Sequence, residues 1–296
     1  MIGQAFSQTF SIIIPVFICV AIGFAWVRFG REFDVELVTT LITNIGAPCL
    51  VFHTLANLDV APSVFGRMVA AAAINIAACT ALSVGILAAV RLPRNAYLPA
   101  LVFANTGNMG LSLSYLAFGD VGLGLAIGVF AVYSVTMFTL GPALASGAAS
   151  WRTVARVPIL YAVPPALGFM LTNAPLPQWI NATTALLGDI TIPMMLIALG
   201  VSLSRLKVTS LRRSFGLALL RLVMGFSVAL GIALAFDLDP IARGVLVVQG
   251  SMPSAVFNYL FAQRYKTMPE EVAGIVVIST AIAFVLLPFL LWFVLP

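Results

Sequence analysis

Two polar stretches combine residue types that could bind an anion. One is Asn105-Thr106-Gly107-Asn108-Met109-Gly110-Leu111-Ser112-Leu113-Ser114-Tyr115, and the other runs Gly250-Ser251-Met252-Pro253-Ser254-Ala255-Val256-Phe257-Asn258. Amides and hydroxyls donate hydrogen bonds, and neither stretch contains a charged residue. Pro253 has no N–H and clashes with the carbonyl four residues back, so a helix must break there. Gly250 precedes the break with a permissive backbone. A third constellation pairs Asn44 with Asp189, each four residues ahead of a proline, Pro48 and Pro193. No catalytic set accompanies them. There is one histidine, His53, and no nucleophile elbow or phosphate loop. Gly107-x-x-Gly110 follows no strand, so it is not a nucleotide fingerprint. The expectation is a binding site rather than an enzyme, with no cofactor, no metal and no nucleic-acid partner.

The elements that must position these stretches are apolar. Of 296 residues, 61% are hydrophobic and only 8% charged, with a mean hydropathy of +1.11. Soluble proteins carry about 25% charged residues. The apolar runs are continuous rather than alternating, which excludes a β-barrel. An α-helical, polytopic membrane protein follows. Ten segments reach the roughly 20 residues a bilayer requires: 8–28, 37–56, 63–90, 97–118, 121–146, 154–173, 180–203, 214–236, 241–263 and 270–295. The first is too long for a signal-peptide core and is read as a retained span. Cys19, Cys49 and Cys79 lie inside spans and read as buried small hydrophobes. Trp26, Trp151, Trp179 and Trp292 fall near span ends, as an interfacial belt requires. Pro15, Pro142, Pro164, Pro165 and Pro288 read as kinks.

Basic residues orient the chain. One set of loops holds Arg28, Arg31, Arg91, Arg94, Arg152, Arg156, Arg205, Lys207, Arg212, Arg213, Arg264 and Lys266, against Arg67 and Arg243 in the other. Both termini are therefore expected outside the cell membrane, the inner membrane of a prokaryote. Arg221, near the predicted start of span 8, is expected to snorkel to the cytoplasmic face.

Five spans per half is the arithmetic of an inverted repeat, with residues 1–148 and 149–296 as its halves. Local matches agree. Ile22-Gly23-Phe24 in span 1 answers Leu167-Gly168-Phe169 in span 6, and Gly107-Asn108-Met109-Gly110 in span 4 answers Gly250-Ser251-Met252-Pro253 in span 9. Spans 4 and 9 then both break near mid-bilayer. Their downstream halves converge by their N-termini, each carrying roughly half a positive charge, and make an anion site without basic side chains. Simple helix–helix packing through small and polar residues is the alternative reading of span 4. Asp189 is expected to face the protein interior, as a proton or cation coupling group or as a structural partner of Asn44. His53 reads as a satisfied interfacial polar group.

Asn105-Thr106-x-x-Met109-Gly110-Leu111-x-Leu113 resembles the fourth span of the auxin efflux carrier family, which includes plant PIN proteins and bacterial organic-acid permeases. Met252-Pro253-Ser254-Ala255-Val256-x-Asn258-Tyr259, followed by Ala262-x-x-Tyr265, resembles the ninth span of bacterial members. Pro48-x-Leu50-x-Phe52-His53 and Ile192-Pro193-x-x-x-Ile197-x-Leu199-Gly200 resemble the second and seventh. Where the family usually has a proline in span 4, this chain has Ser112, which leaves flexibility to Gly107 and Gly110. The resemblance implies an all-α integral membrane protein of ten transmembrane helices in two inverted five-helix repeats. Helices 4 and 9 would be broken and crossing, an architecture like that of sodium/bile-acid symporters and NhaA. Spans 1, 2, 6 and 7 would form a scaffold, often dimeric, and spans 3–5 and 8–10 the moving part. The implied function is secondary transport, with efflux leading, of a small organic anion such as an auxin-like or other carboxylate. Asn105, Thr106, Asn108, Met109, Ser112, Ser251, Pro253 and Asn258 would bind it, and Gly107, Gly110, Gly250 and Pro253 would shape the breaks. A sodium-coupled bile-acid-type symporter is the near alternative, and a channel or membrane sensor the alternative of another class.

Overall fold

The computed structural model of the chain describes residues 2–146, 158–172, 174–206 and 210–295. Trp151, Arg152, Arg156 and Lys207, and the expected junction of the two halves at 148/149, lie outside the described residues. Among the described residues every element is helical apart from one β-bridge. Helix α1 is Ile2–Arg28, and α2 (Val35–Leu41) continues through a π turn (Ile42–Gly46) into α3 (Ala47–Ala56). Asp34 caps α2, accepting from the Leu37 N–H at 2.9 Å. Pro48 lies just past the π turn, and the widened turn accommodates the carbonyl its ring would strike.

Helix α4 (Pro62–Ala89) follows, then α5 (Arg94–Val102), a second π turn (Thr106–Leu111) and α6 (Ser112–Ser146). Helix α6 is interrupted at Gly119 (φ 65°, ψ −155°), the junction expected between spans 4 and 5. Only glycine takes that conformation without strain. The second half contains α7 (Ile159–Thr172), α8 (Gln178–Asp189), α9 (Thr191–Arg205), α10 (Leu211–Ala235), α11 (Pro240–Gly250), α12 (Val256–Tyr265) and α13 (Pro269–Val294).

Six continuous helical runs among the described residues are long and apolar enough to cross a bilayer: Val35–Ala56, Pro62–Ala89, Thr106–Gly141, Gln178–Arg205, Leu211–Ala235 and Pro269–Val294. The sequence leads to ten, and the difference has local causes. Expected spans 4 and 5 share one kinked run, and expected span 9 is split between α11 and α12. The described apolar parts of spans 1 and 6 are the shorter Ile12–Arg28 and Tyr161–Thr172.

Two groups of helices emerge from the packing. In the first, α1 lies along α9 and α3 along α7 and α8. Glycines set these contacts: Gly23 abuts the Ile197 carbonyl, Gly200 the Val20 carbonyl, and Gly188 the Leu50 backbone. Without side chains the helix backbones touch, which is how apolar helices associate when lipid provides no hydrophobic drive. In the second group, α4, α6, α10 and α13 enclose the short helices α5, α11 and α12. Buried residues concentrate there, and residues 96–107 and 244–255 are buried almost without interruption.

Candidate functional site

The site is built from two interruptions that repair each other. Helix α5 ends at Val102, and Phe103 (φ −88°, ψ 104°) and Asn105 (φ −77°, ψ 57°) leave the helical region. Helix α11 ends at Gly250, and the chain stays irregular to Ala255 (φ −66°, ψ 143°). Pro253 enforces this second break, because the residue before a proline is pushed out of the α region. The two irregular strips pair as one antiparallel bridge, Ala104 with Ser254. The Asn105 N–H donates to the Pro253 carbonyl at 2.7 Å, and the Ala255 N–H to the Phe103 carbonyl at 3.0 Å. Asn258 secures the join: its Nδ2 donates to the Phe103 carbonyl at 2.9 Å and to Ser254 Oγ at 3.0 Å. Ser279 Oγ accepts the Ser254 N–H at 3.1 Å. Irregular backbone inside a bilayer persists only when its polar groups are satisfied in this way.

Beside the bridge lies a cavity of about 60 Å³, room for some two waters. The first residues of both downstream helical segments line it: Thr106, Gly107 and Asn108 from one, Phe257 from the other. Neither segment start carries a side-chain cap, so the amides there have no side-chain partner. Asn105 Nδ2 and Ser134 Oγ, also in its wall, are buried without a hydrogen-bond partner. Helix α6 contributes the aromatic wall, Phe130, Tyr133 and Phe138. The cavity adjoins a cleft of about 410 Å³ that shares Thr43, Asn108, Met195 and Phe257 with it and extends to Arg205 and Gln263. Among the described residues no Asp or Glu lines either space. Around this space lie unpaired donors and the uncapped, dipole-positive starts of two helical segments.

Residues 142–291, just over half of the chain, match the family of membrane transport proteins. The chain belongs to that family. This is the family of the auxin efflux carriers, whose motifs spans 4 and 9 resemble. The chain is also similar to an uncharacterized transporter of Methanocaldococcus jannaschii, MJ1031, at 25% identity over 95% of this chain and 96% of that one. The family is one of membrane transporters, not a class of enzymes.

In this membrane transporter the expected site residues divide. Asn105, Thr106 and Asn108 line the cavity, and Asn108 reaches the cleft as well. Met109 and Ser112 are fully buried away from it, and Ser112 Oγ donates to the Asn108 carbonyl at 2.9 Å. Ser251 faces the opposite side, an apolar groove between α10 and α13, with its hydroxyl on the Val247 carbonyl at 2.6 Å. Pro253 and Asn258 hold the bridge rather than line the cavity. Gly107, Gly110 and Gly250 adopt no positive φ. They give room instead: to the Phe130 ring, to the Gln249 side chain and to Ala229, respectively. The first break falls at 103–105, ahead of both span 4 glycines and of Ser112.

Arg221 is where the sequence expectation fails. It does not snorkel: it is 0% exposed, ten residues into α10. At 1.5 Å per residue that is about 15 Å from the helix start, mid-bilayer. Its Nη1 donates to the Leu101 carbonyl at 3.2 Å and its Nη2 to the Gly250 carbonyl at 3.0 Å. Arginine at such depth costs about 2.5–3.5 kcal/mol on insertion scales and must face protein. The two carbonyls, at the ends of α5 and α11, are what repay it. The expected snorkelling took span 8 to begin at 214, whereas α10 begins at Leu211. Asn75, Cys79 and Tyr133 lie beside the guanidinium, and Tyr133 donates to Asn75 Oδ1 at 3.0 Å.

Asp189 also departs from expectation. It is exposed, as is Asn44, so neither faces the interior. Both lie beside the α8–α9 junction, where Gly46 meets Thr191. His53 is half-buried at the end of α3, near Asn57, which donates to Asn181 Oδ1 at 2.9 Å. Trp26, Trp179 and Trp292 are exposed near helix ends.

Proposed function

We propose that the chain is a secondary transporter that moves small organic anions, auxin-like or other carboxylates, outward by alternating access around the two interrupted helices. The observation that carries this reading is the pair of uncapped helix starts meeting at a cavity with an unpaired Asn105 amide and no carboxylate. Asn105, Thr106 and Asn108 receive the carboxylate, and Phe130, Tyr133 and Phe138 hold its apolar body. The cavity admits the head group alone, and the 410 Å³ cleft, within the 300–1,000 Å³ usual for small ligands, admits the rest. The cleft ends at Arg205, which the basic-residue count puts on the cytoplasmic side, so this conformation faces inward.

The architecture that suits this function has ten spans in two inverted repeats. Helix α1 on α9 and α7 on α3 are the pairings a two-fold axis exchanging the halves would generate, and so are the two breaks that pair with each other. Spans 1, 2, 6 and 7 form the scaffold, and spans 3–5 and 8–10 carry the substrate. A homodimer through the scaffold covers Asp189 and Asn44, which a single copy leaves exposed. Asp189 then has a structural role at that interface. Both termini lie outside the cytoplasmic membrane.

In proteoliposomes, a panel of labelled carboxylates should yield at least one saturable substrate whose flux Asn105→Ala reduces about tenfold or more, the value of one lost charge-assisted hydrogen bond. Wild-type flux in the variant would overturn the site, and no carboxylate flux in the native protein would overturn the substrate class.

A further inference from the structure

Behind the bridge, opposite the cavity, two helix C-termini converge. Leu101 is the penultimate residue of α5 and Gly250 the last of α11. The last carbonyls of a helix lack intrahelical partners and carry the negative end of its dipole. In secondary transporters with discontinuous helices, such carbonyl ends and unwound backbone are where coupling sodium ions or protons bind. Here both carbonyls receive the guanidinium of Arg221. Arginine stays protonated in proteins, so the charge is permanent. Among the described residues no Asp or Glu is buried, so the positive charge is balanced there by backbone and by neutral neighbours. Gly225, one turn along α10, has no side chain, and this lets α10 press directly on the Gly250 carbonyl. Arg221 Nε and Asn75 Nδ2 remain buried and unpaired. The Tyr133 ring joins this cluster to the cavity wall, with its hydroxyl on Asn75.

We propose that Arg221 is a tethered cation standing where a sodium-coupled carrier of this build would bind its ion. It ties the two upstream half-helices into one unit, places a fixed positive charge behind the anion site, and makes the transporter independent of sodium. The structural half of this inference needs no substrate. Its consequence for flux rests on the reading of the cavity as the anion site. A bound sodium ion enters and leaves with each cycle and so couples a gradient to transport; a tethered guanidinium cannot. Arg221 is therefore a positioning residue, acting on the substrate through the helices it joins.

The test is the melting temperature of the purified, full-length transporter in choline, sodium and guanidinium chloride at equal millimolar concentration, with urea as a control for denaturant action. Wild type should melt at one temperature in choline and sodium. Arg221→Ala should melt lower by about 5 °C or more in choline. Guanidinium, and to a smaller degree sodium, should restore part of that loss in Arg221→Ala and none in wild type, because only the variant has the vacated site. Arg221→Lys, which brings one ammonium to two carbonyls, should fall between. Specific stabilisation of wild type by sodium would overturn the proposal. So would an Arg221→Ala protein that melts with wild type, or one that guanidinium does not rescue. If Arg221→Ala does not fold, the wild-type sodium comparison and the guanidinium response of Arg221→Lys decide. A protein that passes these cation tests but moves no carboxylate would leave the tethered cation standing and the substrate reading refuted.

Discussion

The two sides of the bridge are built from the same pair of interrupted helices, yet they are finished differently. On the carbonyl side, the ends of α5 and α11 meet a guanidinium from the chain itself, and that guanidinium is fully buried. On the amide side, the starts at Thr106 and Val256 carry no side-chain cap, and a cavity is left with an unpaired amide in its wall. A helix broken in a bilayer exposes dipole ends of both signs, and each must be answered. The negative ends are answered permanently and the positive ends are not. The unanswered side is where a ligand gains most, because it supplies what the fold omits.

The largest effect should come from removing the permanent answer. Arg221→Met leaves the Leu101 and Gly250 carbonyls without a partner in a dry interior, and each buried acceptor left unsatisfied costs about 1–3 kcal/mol. Thermal unfolding in detergent should register it. An unchanged melting temperature would mean that the carbonyl side needs no cation. Next, the two asparagines at the bridge should behave oppositely, although both are nearly fully buried. Asn258→Ala removes two hydrogen bonds that hold the strips together and should cost about 1–3 kcal/mol of stability. Asn105→Ala removes a donor that has no partner, so stability should hold within about 0.5 kcal/mol while carboxylate affinity falls about tenfold. Parallel melting and binding curves on the two variants would show whether the sides of the bridge are functionally distinct.

Much of the bridge is legible in the sequence. Pro253 inside an apolar run predicts the second break, and the polar density of 105–114 marks its partner. The helical class follows from composition alone. What was not legible has a common cause. In a bilayer both the protein core and the lipid are apolar, so hydrophobic periodicity does not say which face of a helix looks inward. Phe130, Tyr133 and Ser134 therefore read as ordinary residues of span 5, and the exposure of Asp189 could not be foreseen. The depth of Arg221 was open to arithmetic: counted from Leu211 rather than from 214, it falls at the middle of the helix. The division of labour between Asn105 and Asn258 required the bridge itself, since pairing across 150 residues has no local signature.

The smallest effect is expected at Ser251, on the far side of the bridge from the cavity. Ser251 lies within the second break and, by position alone, is as good a ligand as Asn105. Its hydroxyl, however, is committed to the Val247 carbonyl of its own helix at 2.6 Å, and the residue borders the apolar groove between α10 and α13. A serine that bonds back to the i−4 carbonyl competes with the helix rather than supporting it. Ser251→Ala should thus change stability by about 0.5 kcal/mol or less and carboxylate affinity by less than about twofold. Isothermal titration on this variant beside Asn105→Ala is the narrowest test of which side of the bridge the anion occupies. If Ser251→Ala weakens binding as much as Asn105→Ala does, the ligand reaches behind the bridge toward Arg221, and the two sides form one site.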